Sequence, residues 1–229
     1  MGFFMDKPIE YEQTDSRWRN IMYSSIGNRA DTIGNSGCGP TCAAMVVATL
    51  RDRKITPKEA AAWSVAKGYL SPHDGTYWSY FKAYLDTYKI KCTQTASDER
   101  ALTALNYNRM VITSMGKGLW TSGGHFILAY GVANGKVKIH DPNSEASYRE
   151  LGDLKRYQSE AVQYWIIEEA WKVDVKSLNI KDLDRNKTLT VQAVNVDDTN
   201  YVKLRDLEKL APVVIDYDGV PTIRLNYKG

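Results

Sequence analysis

The segment Asn35-Ser36-Gly37-Cys38-Gly39-Pro40-Thr41-Cys42, with the apolar run Ala43–Leu50 behind it, constrains the fold of this chain more than any other stretch. The run reads as a buried helix. Pro40 suits its first turn, where a missing N–H costs nothing. Glycine on either side of Cys38 lets the backbone turn tightly and lets a substrate come close. Together these place a thiol at a helix N-terminus. Free N–H groups and the helix dipole there favour thiolate, the nucleophilic form of cysteine. A cysteine that only filled a core would not need the glycine frame. Cys42, one turn further on, and Cys92 read as packing residues.

A thiolate nucleophile needs a partner for proton transfer, and the chain has three histidines. His73 lies in Ser71-Pro72-His73-Asp74-Gly75, a turn signal. His140 ends a short strand just before Asp141-Pro142. Both read more readily as structural. His125 differs, because Ser122-Gly123-Gly124 leads straight onto a strand, His125–Ala133, of which it is the first residue.

Asn134-Gly135 then marks a hairpin to Lys136–Asp141. Its register decides whether Asp141 can serve His125. A two-residue loop would set Leu128 opposite Asp141 and turn His125 to the other face. A three-residue loop, Ala133-Asn134-Gly135 with a left-handed Gly135 and a bulge, shifts the register by one and sets Ile127 opposite Asp141. His125 then lies diagonally across from Asp141, roughly 7–8 Å away at the backbone and within side-chain reach. The bulged form is the one expected, with Asp141 fixing the imidazole tautomer and His140 facing away.

These residues, in this order, resemble the papain-like cysteine peptidases of the double-glycine leader peptidase type, most nearly their stand-alone branch. The motifs are Cys38-Gly39-Pro40-Thr41, Gly123-Gly124-His125-Phe126, Asp141-Pro142 and, ahead of them, Gln13-Thr14-Asp15-Ser16-Arg17-Trp18. The resemblance spans residues 8–170. It implies a papain-like α+β fold with N-terminal helices packed on an antiparallel sheet. It also implies Cys38 as nucleophile, His125 as base, Asp141 as orienting acid, and Gln13 as an oxyanion donor beside the Cys38 backbone N–H. Gly37 and Gly124 are candidate substrate-binding positions by close approach. Trp120 is a third, because loops beside catalytic residues shape specificity. Ser122 lacks the strained elbow of a serine hydrolase.

Elsewhere in this region, residues 57–67 read as a helix and Met110–Met115 as a buried strand. Thr76 is placed to cap a helix carrying Tyr77, Trp78, Phe81, Tyr84, Leu85 and Tyr88, an aromatic stripe that reads as core.

The net charge of +3 over 229 residues is too small to argue for nucleic acid, though it mildly favours an anionic wall surface. Three cysteines imply no disulfide framework. No stretch has the about 18 apolar residues of a membrane span. Met1–Asp6 lacks the basic region and apolar length of a secretory signal.

All six tryptophans and all three histidines precede residue 172. That shift divides the chain into an expected catalytic domain, residues 1–172, and a small α+β domain, residues 173–229. In the tail, Leu178–Ile180 and Leu189–Val196 read as strands, Tyr201–Leu210 as a helix, and Val213–Tyr217 with Thr222–Leu225 as a hairpin. The stretch from Asn200 to Leu207, with Val213–Asp218 after it, resembles the small cell-wall-associated domain first seen at the N-terminus of copper amine oxidases. No cofactor is expected. Asp182–Asn186 opens like a calcium loop, but Lys187 and Ala193 stand where its glycine and closing glutamate belong.

The layout resembles a phage endolysin, made in the bacterial cytoplasm and acting at the wall after release. The leading expectation is a cysteine-dependent peptidoglycan hydrolase, with the tail binding wall or forming a homo-oligomer. A processing peptidase for glycine-glycine leader peptides and a non-enzymatic wall-binding protein stay open beside it.

Overall fold

The computed structural model describes residues 7–24, 31–71, 75–143 and 151–171 with their side chains, and after residue 173 the backbone of five strands. His73 lies outside the described residues. The chain divides into two compact units, Met1–Lys172 and Val173–Gly229.

The first unit opens with an irregular segment, after which come the short helix α1 (Ile33–Ser36), α2 (Cys38–Leu50) and α3 (Pro57–Ala66). α3 starts where it does because the Thr56 and Glu59 side chains cap each other's backbone N–H, with Pro57 at the first helical position. A two-residue ladder of β1 (Leu70–Ser71) and β2 (Gly75–Thr76) leads to α4 (Ser79–Thr87). Then follow β3 (Cys92–Thr95), α5 (Asp98–Asn106), β4 (Arg109–Met115), β5 (His125–Ala133), β6 (Lys136–His140), β7 (Leu151–Asp153), α6 (Leu154–Glu160) and β8 (Ala161–Ala170).

Six strands form one sheet in the order β3-β8-β4-β5-β6-β7, with every neighbouring pair antiparallel. Its central strands are buried on both faces, which is why they read as continuous runs rather than as alternating ones. Ile112, Phe126, Leu128 and Trp165 join Cys42–Val47 of α2 and Phe81 and Leu85 of α4 in one core. Their neighbours Val111, Ile127, Ala129 and Tyr164 join Ala101 and Leu105 of α5 and Tyr157 of α6 in another. This is the α+β fold expected, helices on an antiparallel sheet, with α5 and α6 as a second helical layer. Among the described residues no helix is long and apolar enough to cross a membrane.

Thr76 does not cap the aromatic helix. It belongs to β2, and its hydroxyl is bonded to Tyr23 Oη at 2.8 Å. α4 begins at Ser79, after Trp78. Tyr80, Phe81, Tyr84 and Leu85 are core as the stripe implied, but Tyr77 and Trp78 precede the helix and are exposed.

The second unit carries β9 (Asp174–Asp182), β10 (Lys187–Val196) and β11 (Thr199–Val202) in an antiparallel sheet with β10 central. β12 (Val213–Asp216) and β13 (Thr222–Leu225) pair as the closing hairpin. Tyr201 and Val202, expected to open a helix, are instead strand residues paired with Val194 and Ala193. Aromatic and β-branched residues such as Thr199, Tyr201 and Val202 suit a pleated surface. The rest of that segment, residues 203–210, lies outside the described residues.

Candidate active site

α2 begins at Cys38 itself, so the thiol stands on the first helical residue. The backbone N–H of such a residue has no intrahelical acceptor and is free to meet a ligand. The flanking glycines have a different cause from the one expected. Gly37 has φ −88°, an ordinary value, and a Cβ there would lie 2.5 Å from the Ile33 carbonyl oxygen. A Cβ on Gly39 would lie 2.6 Å from Thr76 Oγ1. Close packing of α1 and β2 against the helix start, not a special turn, demands glycine. Gly37→Ala is expected to cost about 1–3 kcal/mol, read as a thermal midpoint lowered by several degrees, with slowed alkylation of Cys38 as α2 shifts.

His125 opens β5, opposite Met115 of β4. The β5–β6 hairpin closes with a two-residue turn, Asn134 (φ 53°) and Gly135 (φ 71°), both left-handed as a type I′ turn requires. Ala133 pairs with Lys136, so the expected three-residue loop is not present. The bulge lies further along β5, at Tyr130: Gly131 pairs with Lys138, but Ala129 pairs with Ile139 and Leu128 with His140. This one-residue shift sets Asp141 opposite Ile127, on the face of His125. His125 Nε2 lies 2.7 Å from Asp141 Oδ1. The same oxygen accepts from the backbone N–H of Asn143 at 3.0 Å, so a local turn holds the carboxylate in place. With Nε2 on Asp141, the other ring nitrogen is left for Cys38, to which His125 is hydrogen-bonded.

The electrostatics favour an ion pair. Burial opposes the Cys38 thiolate. The hydrogen bond and charge of His125, with backbone N–H groups of Phe126 and Gly39, outweigh it and hold the thiol below its ordinary value. Burial also opposes the imidazolium, yet Asp141 and Cys38 raise His125 to about 9. Cys42 and Cys92 go the other way. Burial pushes Cys42 well up, and burial followed by Glu168 pushes Cys92 to about 12.

Gln13 reaches the same place from the irregular N-terminal segment. Its backbone N–H donates to the Pro142 carbonyl at 2.7 Å, and its Nε2 donates to the Gly34 carbonyl at 2.8 Å. A side-chain amide carries two N–H groups, so one remains for a ligand. Gln13, Cys38 and His125 line a single cleft of about 890 Å³.

The model of the Peptidase_C39-like family matches residues 11–169, which takes in Gln13, Cys38, His125 and Asp141. This chain belongs to that family. It is a cysteine peptidase with a C39-like, papain-like fold. A crystal structure of the peptidase domain of Streptococcus ComA, a bifunctional ABC transporter involved in quorum sensing, is similar at 18% identity and a TM-score of 0.42, covering 58% of this chain and 93% of that one. No curated protein matches the chain.

The C39-like cleft departs from the sequence reading in its walls. Gly124 lines it, with open space beside its Cα. Gly37 does not appear in its lining. Trp120 borders the cleft, but only 2% of it is exposed: its ring lies over Gly152 and edge-on to Tyr157 in the second core. These contacts anchor the loop before His125. Glu160 is a second anchor, accepting from the Leu119 N–H at 2.7 Å and packing over Gly118. Trp78 lines the cleft as well, 42% exposed and edge-on to Trp165. The aromatic stripe hid it, because a tryptophan just outside a helix carries the same pattern as one inside it. Among the described lining residues none is Asp, Glu, Lys or Arg.

Proposed function

We propose that this cysteine peptidase is a peptidoglycan hydrolase that cuts an amide bond in bacterial cell-wall peptides. The observation that carries the chemistry is the alignment of Cys38, His125 and Asp141 across the start of α2 and the β5–β6 hairpin. In this reading the Cys38 thiolate attacks the amide carbonyl carbon, and His125 gives its proton to the leaving amine. Water then hydrolyses the thioester, with the imidazole as base. The Cys38 N–H and the free N–H of Gln13 hold the developing oxyanion, a contribution of about 100- to 1,000-fold in rate for one donor.

The wall as substrate is supported by the likeness of the tail to a wall-associated domain. The described lining of the cleft, which carries no Asp, Glu, Lys or Arg side chain, also favours a second reading, the processing of leader peptides at glycine-glycine. One experiment separates them. Added to Gram-positive cells, the protein should lower turbidity and Cys38→Ala should not. Cleavage of a synthetic glycine-glycine leader peptide with no effect on cells or isolated walls would favour the second reading.

The tail, residues 173–229, is assigned to wall attachment or self-association, raising the local concentration of enzyme without adding catalytic contacts. A chain ending at Lys172 is then expected to cut soluble wall peptides at near-normal rate while lysing whole cells less well. Loss of cleavage of the small substrate, with the remaining domain still folded, would show that the tail completes the active site.

A further inference from the structure

Gln13 sits on a segment, residues 7–13, that has no regular secondary structure, so discrete tethers decide where its amide stands. Ile9 N–H donates to Thr49 Oγ1 near the end of α2 at 2.9 Å. Tyr11 Oη donates to the Arg53 carbonyl, Trp18 Nε1 to the Glu12 carbonyl and Gln13 Nε2 to the Gly34 carbonyl, and a further set of tethers comes from the end of β6. His140 Nε2 donates to the Pro8 carbonyl at 3.2 Å, and His140 Nδ1 lies 3.1 Å from Glu10 Oε1. Two residues on, the Pro142 carbonyl accepts from Gln13 N–H.

His140 is 2% exposed, and its ring is stacked on Tyr130 with centroids 4.4 Å apart. Tyr130 is the bulged residue of β5, and its carbonyl accepts from Trp171 Nε1 at 3.0 Å. The ring is thus clamped on one side while both its nitrogens face acceptors on the N-terminal segment. The carboxyl of Glu10 is held down to about 2, first by its hydrogen bond with His140.

His140 and Asp141 are consecutive at a strand end, so their side chains leave on opposite sides. Asp141 turns to His125, and His140 turns to the segment bearing Gln13.

We propose that His140 is a positioning residue: it ties the Pro8–Glu10 stretch to the end of β6 and thereby sets the Gln13 amide against the oxyanion formed at Cys38. This rests on the reading of Gln13 given above. One strand end then serves both halves of the machinery, the imidazole through Asp141 and the oxyanion donor through His140. The contacts on Pro8 and Glu10 make Gln13 arrive preorganised, which is worth most in the transition state. The effect therefore belongs in kcat rather than KM.

The test is amine release from solubilised Gram-positive peptidoglycan by the full chain. Its arms are Gln13→Ala, His140→Phe, the double variant, and Glu10→Gln as a milder cut of the same tether. Phenylalanine keeps the ring on Tyr130 and removes both ring nitrogens. Gln13→Ala should lower kcat about 100-fold or more. His140→Phe should lower it by about 10-fold with KM within about twofold, and the double variant should match Gln13→Ala alone, because residues acting through one contact do not add. Glu10→Gln should lower kcat in the same direction by less. Iodoacetamide should alkylate Cys38 in His140→Phe at the wild-type rate, since that reaction uses no oxyanion donor.

If the His140 and Gln13 losses multiply, or if kcat is unchanged in His140→Phe and Glu10→Gln while Gln13→Ala is impaired, His140 does not act through Gln13 and the proposal is overturned with the site intact. Should His140→Phe fail to fold, Glu10→Gln with Gln13→Ala carries the same test. Unchanged kcat in Gln13→Ala, or no amine release by the wild type, overturns the underlying reading and this proposal with it.

Discussion

Replacing Cys38 by Ser is expected to remove amide hydrolysis almost entirely, by on the order of 10⁴-fold or more in kcat, while the thermal midpoint moves little. The two side chains are close in size, so the core of α2 keeps its packing. What changes is the nucleophile. The environment at the start of α2 favours an anion on sulfur, through the His125 charge and the N–H groups of Phe126 and Gly39. A serine hydroxyl, which ionises far less readily, cannot use it. The measurement is amine release from solubilised wall peptides, with near-ultraviolet circular dichroism to confirm the fold. Retention of a tenth of the wild-type rate by Cys38→Ser would mean that another group attacks the carbonyl.

Asp141→Asn is expected to cost about 100- to 10,000-fold in kcat, and to change the shape of the pH profile. Asp141 is the first favourable contribution to the raised value of His125, about 9, acting against burial. In the proposed mechanism the productive pair of the wild type exists between the lowered value of Cys38 and the raised value of His125. Activity should therefore rise as Cys38 loses its proton and fall as pH passes through about 9, where His125 loses its own. Removing the negative charge lowers His125, so the alkaline limb moves to lower pH. A less available imidazolium stabilises the thiolate less, so the acid limb moves up and the window narrows from both sides. A profile of kcat/KM against pH for the two proteins checks this. An alkaline limb that stays near 9 in Asp141→Asn would show that Asp141 does not hold the imidazole charge.

What was legible in the sequence was chemistry carried by rare residue types in order along the chain. The start of α2 at the Cys38 segment and β5 beginning at His125 follow from local patterns of apolar residues and turn residues, and Asp141 was legible as the partner of His125 on condition that the hairpin is bulged. The location of the bulge was not legible. The Asn134-Gly135 turn is an ordinary two-residue one, and the shift occurs at Tyr130, held by stacking on His140 and by a hydrogen bond from Trp171. Those are contacts across the fold. Long-range packing likewise defeated the reading of Thr76 as a helix cap, because Tyr23 engages its hydroxyl. It also changed the reason for Gly39, which makes room for Thr76, and buried the ring of Trp120 over Gly152. In each case a local signal was real, but a partner distant in sequence decided what the residue does.

The central claim is that Cys38 is held as a reactive thiolate, and the pH dependence of its alkylation tests it most directly. The folded protein is treated briefly with iodoacetamide across a pH series, and each cysteine is followed by peptide mass spectrometry. Cys38 should react fast already at neutral pH, with a rate that levels off below the range of an ordinary thiol, about 8.5. Cys42 and Cys92, both pushed upward by burial, should stay essentially unlabelled. A Cys38 that reacts no faster than the other two, or whose rate climbs only through the ordinary thiol range, would contradict the account.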